Sequence, residues 1–240
     1  MSLPADSAVE TEHDPCGCIF AEEYINEVTG SSSSTVTVPE EETSPFARVR
    51  LSRVVKGAVK GDPISAPDLW RERMTVVFVT RRPGCYLCRE DAMALSAAHM
   101  NNEWGDDVNL VAVIKEVAPV ASARTDLQLG VEEFQVQYFN SNPVFLDTEK
   151  DFYKFFGMKS ALSQKLNSWN PFALYEDYNA MSRRIKSKGI HWNSRGEGII
   201  QGGIVVVSPT KGIVYQRNEL TGTELPMRDI THAILTAKQT

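Results

Sequence analysis

Met74–Thr75–Val76–Val77–Phe78–Val79–Thr80–Arg81–Arg82–Pro83–Gly84–Cys85–Tyr86–Leu87–Cys88–Arg89–Glu90–Asp91–Ala92–Met93–Ala94–Leu95 is the stretch from which the fold is read. Its first seven residues are apolar or β-branched, the composition of a buried strand. Pro83 and Gly84 mark a tight turn. The polar, alanine-rich remainder reads as a helix whose first turn carries two cysteines three residues apart. A thiol in that place feels the unpaired N–H groups and the positive dipole end of the helix, which stabilise a thiolate and make it a nucleophile. The chemistry this order implies is thiol redox.

Size and composition bound what surrounds the stretch. A chain of 240 residues holds one core and a tail, so one folded domain is expected, over 45–240. The first 44 residues contain ten carboxylates and no lysine or arginine, together with Ser31–Ser32–Ser33–Ser34 and few apolar side chains. Such a segment buries too little to offset its ordering entropy, and a disordered acidic tail is expected over 1–44. The overall charge is −6, whereas the remainder, with 25 basic and 21 acidic residues, is near +4. That balance makes no case for nucleic acid, and Arg183, Arg184, Lys186 and Lys188 read as a solvated helix face. The longest apolar runs, such as Gly203–Ile204–Val205–Val206–Val207, have strand length, so no membrane span is expected. The N-terminus shows no basic region followed by an apolar one, as a secretory signal would. Two of four cysteines lie in the Cys-x-x-Cys pair and two in the acidic tail, too few for a disulfide-stapled secreted domain; a cytoplasmic setting is expected.

Outward from the cysteines, Arg48–Val49–Arg50–Leu51 alternates like a short strand, and Asp62–Pro63–Ile64 reads as a turn. Ser65 to Arg73 suggests a short helix capped at Ser65 or Ala66, with Pro67 in its first turn and Asp68 favouring the dipole. The cysteine helix is expected from about Cys85 to Asn102, with Cys88, Ala92, Leu95 and His99 on one inward stripe. Val108–Ile114 is apolar enough for the centre of a parallel sheet. A helical turn near Val131–Phe139, an extended run Pro143–Asp147 and a helix Glu149–Phe156 stopped by Gly157 follow. An aromatic-rich insertion over 158–200 carries Trp169, Phe172, Tyr175, Tyr178 and Trp192. The run Ile204–Val207, the turn Ser208–Gly212 and Ile213–Tyr215 predict a hairpin, and a last helix runs from about Pro226 to Ala237. This alternation implies an α/β, three-layer α/β/α sandwich with a mixed central sheet in thioredoxin-fold order.

The segment Thr80–Arg81–Arg82–Pro83–Gly84–Cys85–Tyr86–Leu87–Cys88–Arg89–Glu90 resembles the active-site segment of the peroxiredoxin-like 2 proteins, of the AhpC/TSA antioxidant group. Val144–Phe145–Leu146–Asp147 before a helix and Gly196–Glu197–Gly198–Ile199–Ile200–Gln201–Gly202–Gly203–Ile204–Val205–Val206–Val207 extend the resemblance, which covers about 62–238. It implies a thioredoxin-like fold and a thiol-dependent antioxidant oxidoreductase, one branch of which reduces prostaglandin endoperoxides. Two positions differ from ordinary peroxiredoxins. Arg82 stands where those place a Thr or Ser before the peroxidatic cysteine, and Gln201–Gly202–Gly203 where they supply an arginine. The cis-proline that thioredoxins carry near the latter place has no counterpart here either. Peroxidase rates well below those of a true peroxiredoxin are therefore expected.

With that resemblance, Cys85 at the helix entrance is the expected nucleophile, and Cys88, one turn on, the resolving thiol that captures a sulfenate as a disulfide. Plain buried thiols are one alternative. A zinc site is another, but tetrahedral zinc needs four ligands and His191 and His232 are isolated, so no metal is expected. Arg82 and Arg89 are candidates for lowering the thiol pKa or donating to a leaving oxygen, with Thr80 a further possible donor. His99 reads as a core-facing or capping residue, and Glu90 as a first-turn carboxylate favoured by the dipole. Trp169 and Trp192 would roof an apolar substrate cleft or form a satellite core. Cys16–Gly17–Cys18 is ambiguous: a relay of disulfides, weak metal binding and lipid attachment are open to it, and no function is the leading reading. No bound cofactor is expected, with reducing equivalents from thioredoxin, glutathione or an NADPH-linked reductant. The expected substrate is a peroxide or lipid endoperoxide and the expected partner a thioredoxin-type reductant. A non-enzymatic redox-sensing interaction module stands as the alternative.

Overall fold

A seven-stranded mixed sheet, in the order β2-β1-β5-β4-β3-β6-β7, organises the computed structural model, which describes residues 44–117, 130–160 and 171–239. The strands are β1 (Arg50–Val55), β2 (Ala58–Ser65), β3 (Met74–Val79), β4 (Val108–Ile114), β5 (Val144–Leu146), β6 (Gly203–Ser208) and β7 (Gly212–Asn218). The acidic tail, Cys16, Cys18 and Trp169 lie outside the described residues.

β3 is central for a reason visible in its side chains: all six residues are buried. It pairs parallel with β4, Met74 opposite Val108 and Val79 opposite Val113, and antiparallel with β6, Val77 opposite Val205. A parallel neighbour requires a crossover, which α1 (Tyr86–Met100) supplies. β6 returns directly into β7 as the predicted hairpin. This order, closed by α5 (Met227–Gln239), is the thioredoxin-like arrangement.

The sheet buries two different faces. Val76, Phe78, Leu110, Ala112 and Val206 pack against Cys88, Ala92 and Leu95 of α1 and Ile230 and Ile234 of α5. The same layer receives α2 (Val131–Glu133), which passes into a π-helical turn over Phe134–Tyr138, and α4 (Pro171–Ser187) through Met181 and Ile185. On the opposite face Val77, Val79, Val111, Val113 and Val205 meet Phe46, Phe152, Tyr153 and Phe156. That third layer is thin. It consists of one 3₁₀ turn (Ala66–Leu69), the short α3 (Asp151–Phe155) and the N-terminal segment, with Phe46 stacked on Phe152 at 4.3 Å.

Two local expectations differ from the structure. Asp62–Pro63–Ile64 lies inside β2 rather than at a turn, because β2 is an exposed edge strand whose N–H groups need no partner on the outer side. The turn that was overlooked is Lys56–Gly57, where both residues have positive φ, as a two-residue hairpin requires. The helix expected over Ser65–Arg73 is only the 3₁₀ turn, with the Asp68 carboxylate accepting the Ser65 N–H at 3.2 Å. The insertion leaves and rejoins the fold at one point: Ser160 bridges to Ile200, and the Gln201 N–H donates to the Lys159 carbonyl.

Candidate active site

Cys85 is the last extended residue before α1, at φ −75° and ψ 125°, and Cys88 lies in the helix's first turn. The Cys85 N–H donates to the Arg82 carbonyl at 3.1 Å, which closes the turn, and its own carbonyl accepts the Arg89 N–H at 3.0 Å, which starts the helix. Gly84 is required by space: a Cβ there would stand 2.1 Å from Asn193 Oδ1. Both sulfurs are free thiols, each residue 2% exposed. Arg81 Nη2 donates to Cys85 Sγ at 2.8 Å. The Cys88 thiol, hydrogen-bonded to Cys85, is the largest influence on the first sulfur and holds it well below the ordinary thiol range. Burial opposes this, and the Arg81 charge and the Cys88 N–H reinforce it. Burial pushes Cys88 up, as do its bond to Cys85 and the neighbouring charge. The two sulfurs are thus pushed in opposite directions, Cys85 toward the thiolate and Cys88 toward the thiol.

A buried polar network backs this pair. Arg81 Nε lies 3.5 Å from Glu219 Oε1, and Gly202 N–H donates to Glu219 Oε2 at 3.2 Å. Burial works against the Arg81 charge, but the charges of Cys85 and Glu219 outweigh it and keep the guanidinium protonated. Burial raises the Glu219 carboxyl, with Arg81 opposing. Asp91, three residues after Cys88, lines a small cavity with Glu219 and Arg217, and burial pushes its carboxyl well up. Lys115 Nζ, just beyond β4, donates to the Arg81 and Ile200 carbonyls at 2.7 and 3.0 Å and pairs with Glu197 at 2.8 Å. Tyr153 reaches through the sheet to donate to the Thr80 carbonyl at 2.7 Å. The Thr80 and Arg81 carbonyls, with the Thr80 N–H on the Val113 carbonyl, are thus tied down and hold this corner still.

Comparison with known proteins bears on this arrangement. The family model described as AhpC/TSA antioxidant enzyme matches residues 124–220. Prostamide/prostaglandin F synthase of Homo sapiens is 33% identical over 167 residues, covering 69% of this chain and 76% of that protein. Peroxiredoxin-like 2A of Xenopus tropicalis is 35% identical over 173 residues, covering 68% of this chain. The chain belongs to the peroxiredoxin-like 2 family. It spans just under two thirds of the Peroxiredoxin-like 2A proteins it matches, 64% in Xenopus tropicalis and 60% in Xenopus laevis. Among solved structures, Enterococcus faecalis AhpC is similar at 10% identity and a TM-score of 0.45, covering 79% of this chain and 87% of that one.

In this member of the peroxiredoxin-like 2 family the two cysteines expected to act together do stand together, but the cation on the sulfur is Arg81, not Arg82 or Arg89. Arg82 turns away and donates to the Ser194 and Gly196 carbonyls at 3.0 and 3.4 Å. Arg89 is fully buried, paired with Glu133 at 2.6 Å, donating to the Pro83 and His191 carbonyls and lying over the Tyr138 ring. Both arginines fasten the 190–196 segment over the cysteine turn, aided by the Asn193 N–H on the Gly84 carbonyl. Thr80 is buried at the corner, and its hydroxyl has no hydrogen-bond partner among the described residues. Glu90 belongs to an ion cluster with Arg184 and Lys188 of the α4 end, so Arg184 and Lys188 are not a free solvated face. His99 bonds the Val108 carbonyl through Nε2. Trp192 meets Tyr86 edge-on at 6.2 Å and is 61% exposed, an open flank beside the cysteines rather than a satellite core. Arg81, Asp91, Lys115 and Glu219 were not singled out from the sequence. Adjacent arginines differ there by one position only, and the register that sends Arg81 to the sulfur is set by strand pairing. Among the described residues no cluster of three His, Cys, Asp or Glu side chains can hold a metal, and no helix is long and apolar enough to cross a membrane.

Proposed function

We propose that this protein is a thiol-disulfide oxidoreductase that reduces peroxides with Cys85 as nucleophile and Cys88 as resolving thiol. The observation that carries the reading is the Arg81 guanidinium 2.8 Å from Cys85 Sγ, with the protonated Cys88 thiol on the same sulfur. The Cys85 thiolate attacks the outer oxygen of a hydroperoxide, and the O–O bond breaks. The alkoxide leaves as an alcohol once protonated, and Cys85 becomes a sulfenic acid. The Cys88 sulfur then attacks the Cys85 sulfur and expels hydroxide, which takes the Cys88 proton to form water, leaving a Cys85–Cys88 disulfide. A dithiol reductant reopens it and is itself oxidised to a disulfide. Thioredoxin, glutathione or an NADPH-linked system is the proposed electron source, no bound cofactor is required, and the proposed setting is the reducing cytoplasm.

The second reading, reduction of a lipid endoperoxide, has a specific support: the relatives named Prostamide/prostaglandin F synthase match this chain over 76% of their own length. The same two electrons would convert a cyclic O–O bond into two hydroxyls. Burial of Cys85 at 2% exposure favours the smaller peroxide. The deciding experiment is NADPH consumption with thioredoxin and its reductase, using hydrogen peroxide, an alkyl hydroperoxide or a prostaglandin endoperoxide. Turnover with the first two is expected, abolished by Cys85→Ser; Cys88→Ser should give one sulfenate per chain and recycle poorly. Turnover with the endoperoxide alone selects the second reading. A reversible disulfide with no turnover on any of them refutes both and leaves a redox-sensing interaction module.

A further inference from the structure

An arginine side chain has several rotatable bonds, and holding its planar fork on one sulfur costs entropy unless a second anchor fixes it. Glu219 is that anchor. Arg81 leaves the end of β3, touches Cys85 with Nη2 at 2.8 Å and faces Glu219 with Nε at 3.5 Å. Glu219 follows β7 and is itself tied down twice to one residue: its N–H donates to the Gly202 carbonyl at 3.0 Å, and its Oε2 accepts the Gly202 N–H at 3.2 Å. Gly202 in turn lies so close to β3 that a Cβ on it would be 1.7 Å from the Val79 carbonyl oxygen. The ring is closed: β3, Arg81, Glu219, Gly202 and back to β3. Arg81 and Glu219 side chains are only 11% and 10% exposed, so water does not screen the contact. Asp91 from α1, Arg217 of β7, Glu224 beyond it and Lys115 from the end of β4 are further charged groups around the ring.

We propose that Glu219 is a positioning residue for the reactive sulfur, acting through Arg81, which it holds against Cys85. The inference rests on the reading of Cys85 as the attacking thiol. It assigns the control of that sulfur to a residue from the far hairpin, so that the β7 end and the cysteine turn form one working unit.

The test is the rate of iodoacetamide alkylation of Cys85 in the full chain as a function of pH, with the adduct located by mass spectrometry. Glu219→Leu, which fills the space but accepts no hydrogen bond, should move the Cys85 profile upward and slow alkylation about tenfold at mildly acid pH, one pKa unit's worth. Glu219→Gln keeps an acceptor for Arg81 and for the Gly202 N–H, and its profile should lie at or below that of the wild type. Arg81→Met should shift the profile as Glu219→Leu does, and the double variant no further. The proposal is overturned by an unmoved or lowered profile in Glu219→Leu, or by shifts in the double variant that add. Should circular dichroism show that Glu219→Leu does not fold, Glu219→Gln decides alone: a profile above the wild type overturns the proposal, and one at or below it supports it. A wild-type profile with the midpoint of an ordinary thiol sinks the reading of Cys85 itself, a result separable from any effect at Glu219.

Discussion

The two sulfurs divide the labour because one environment is split unevenly between them. Both are buried, and burial by itself raises a thiol pKa. Cys85 escapes that rise through donors: the Cys88 thiol first, then the charge of Arg81 and the Cys88 N–H. At Cys88 burial, its bond to Cys85 and the neighbouring negative charges outweigh the Arg81 charge and push the thiol up. A lowered Cys85 pKa means that its reactivity persists below the pH at which a free cysteine falls silent, whereas Cys88 stays protonated until Cys85 is oxidised. Replacing Cys88 by alanine removes the largest stabilising donor, so Cys85 should lose thiolate at neutral pH, its far-ultraviolet thiolate absorbance appearing at higher pH. Cys88→Ser retains a hydroxyl donor and should shift that titration less. Equal titrations in the two variants would show that the helix end and Arg81 alone set the Cys85 pKa.

At the scale of elements, what matters is how closely neighbouring segments approach. Gly202 sits where β6 is entered, against the Val79 carbonyl, and the contact is with backbone that cannot rotate aside. Gly202→Ala should cost about 3 kcal/mol or more, a drop of roughly 6–12 °C in Tm for a domain of this size. A melt within 2 °C of wild type would mean that the strand entry yields. The junction between α1 and α4 behaves differently, because it is ionic. Burial acts against the Glu90 charge, but hydrogen bonds from Arg184 and Lys188 overcome it and leave the carboxyl below its ordinary value. A depressed folded-state pKa contributes stability above the unfolded value of about 4.3, and that contribution is lost as pH falls through the folded one. Glu90→Gln should therefore cost about 1–2 kcal/mol in urea unfolding at neutral pH, the worth of hydrogen bonds to a charged group. The cost should vanish in strongly acid solution, where wild-type Glu90 is also neutral; a cost independent of pH would assign the loss to packing.

Across the whole molecule, legibility follows burial and locality. The central β3–α1–β4 unit and the β6–β7 hairpin read directly from sequence because their side chains are continuously apolar or their turns are short. β2 did not, since an exposed edge strand carries no hydrophobic alternation and admits Pro63. The cysteine pair was legible as a local motif, whereas its partners Arg81 and Glu219 meet only through the sheet, and no spacing rule brings them together. Arg89 makes the same point on a larger scale. Read from sequence as a thiol-facing arginine, it is a fully buried hub joining α1, the Glu133 end of α2 and the His191 carbonyl, with its guanidinium 4.5 Å from the Tyr138 ring centroid. Removing one partner of a buried ion pair leaves the other charge without compensation. Arg89→Leu should therefore cost about 3–5 kcal/mol and loosen the 190–196 segment, which keeps the Arg82 bonds, the Asn193 and Ile190 N–H groups on the Gly84 and Ile185 carbonyls, and the His191 N–H on the Tyr138 hydroxyl. Limited proteolysis under native conditions should then cut first within that segment, faster than in wild type. If cleavage there stays as slow as in wild type while global stability falls, Arg89 supports the core alone, and the cover over the cysteines is held by its other bonds.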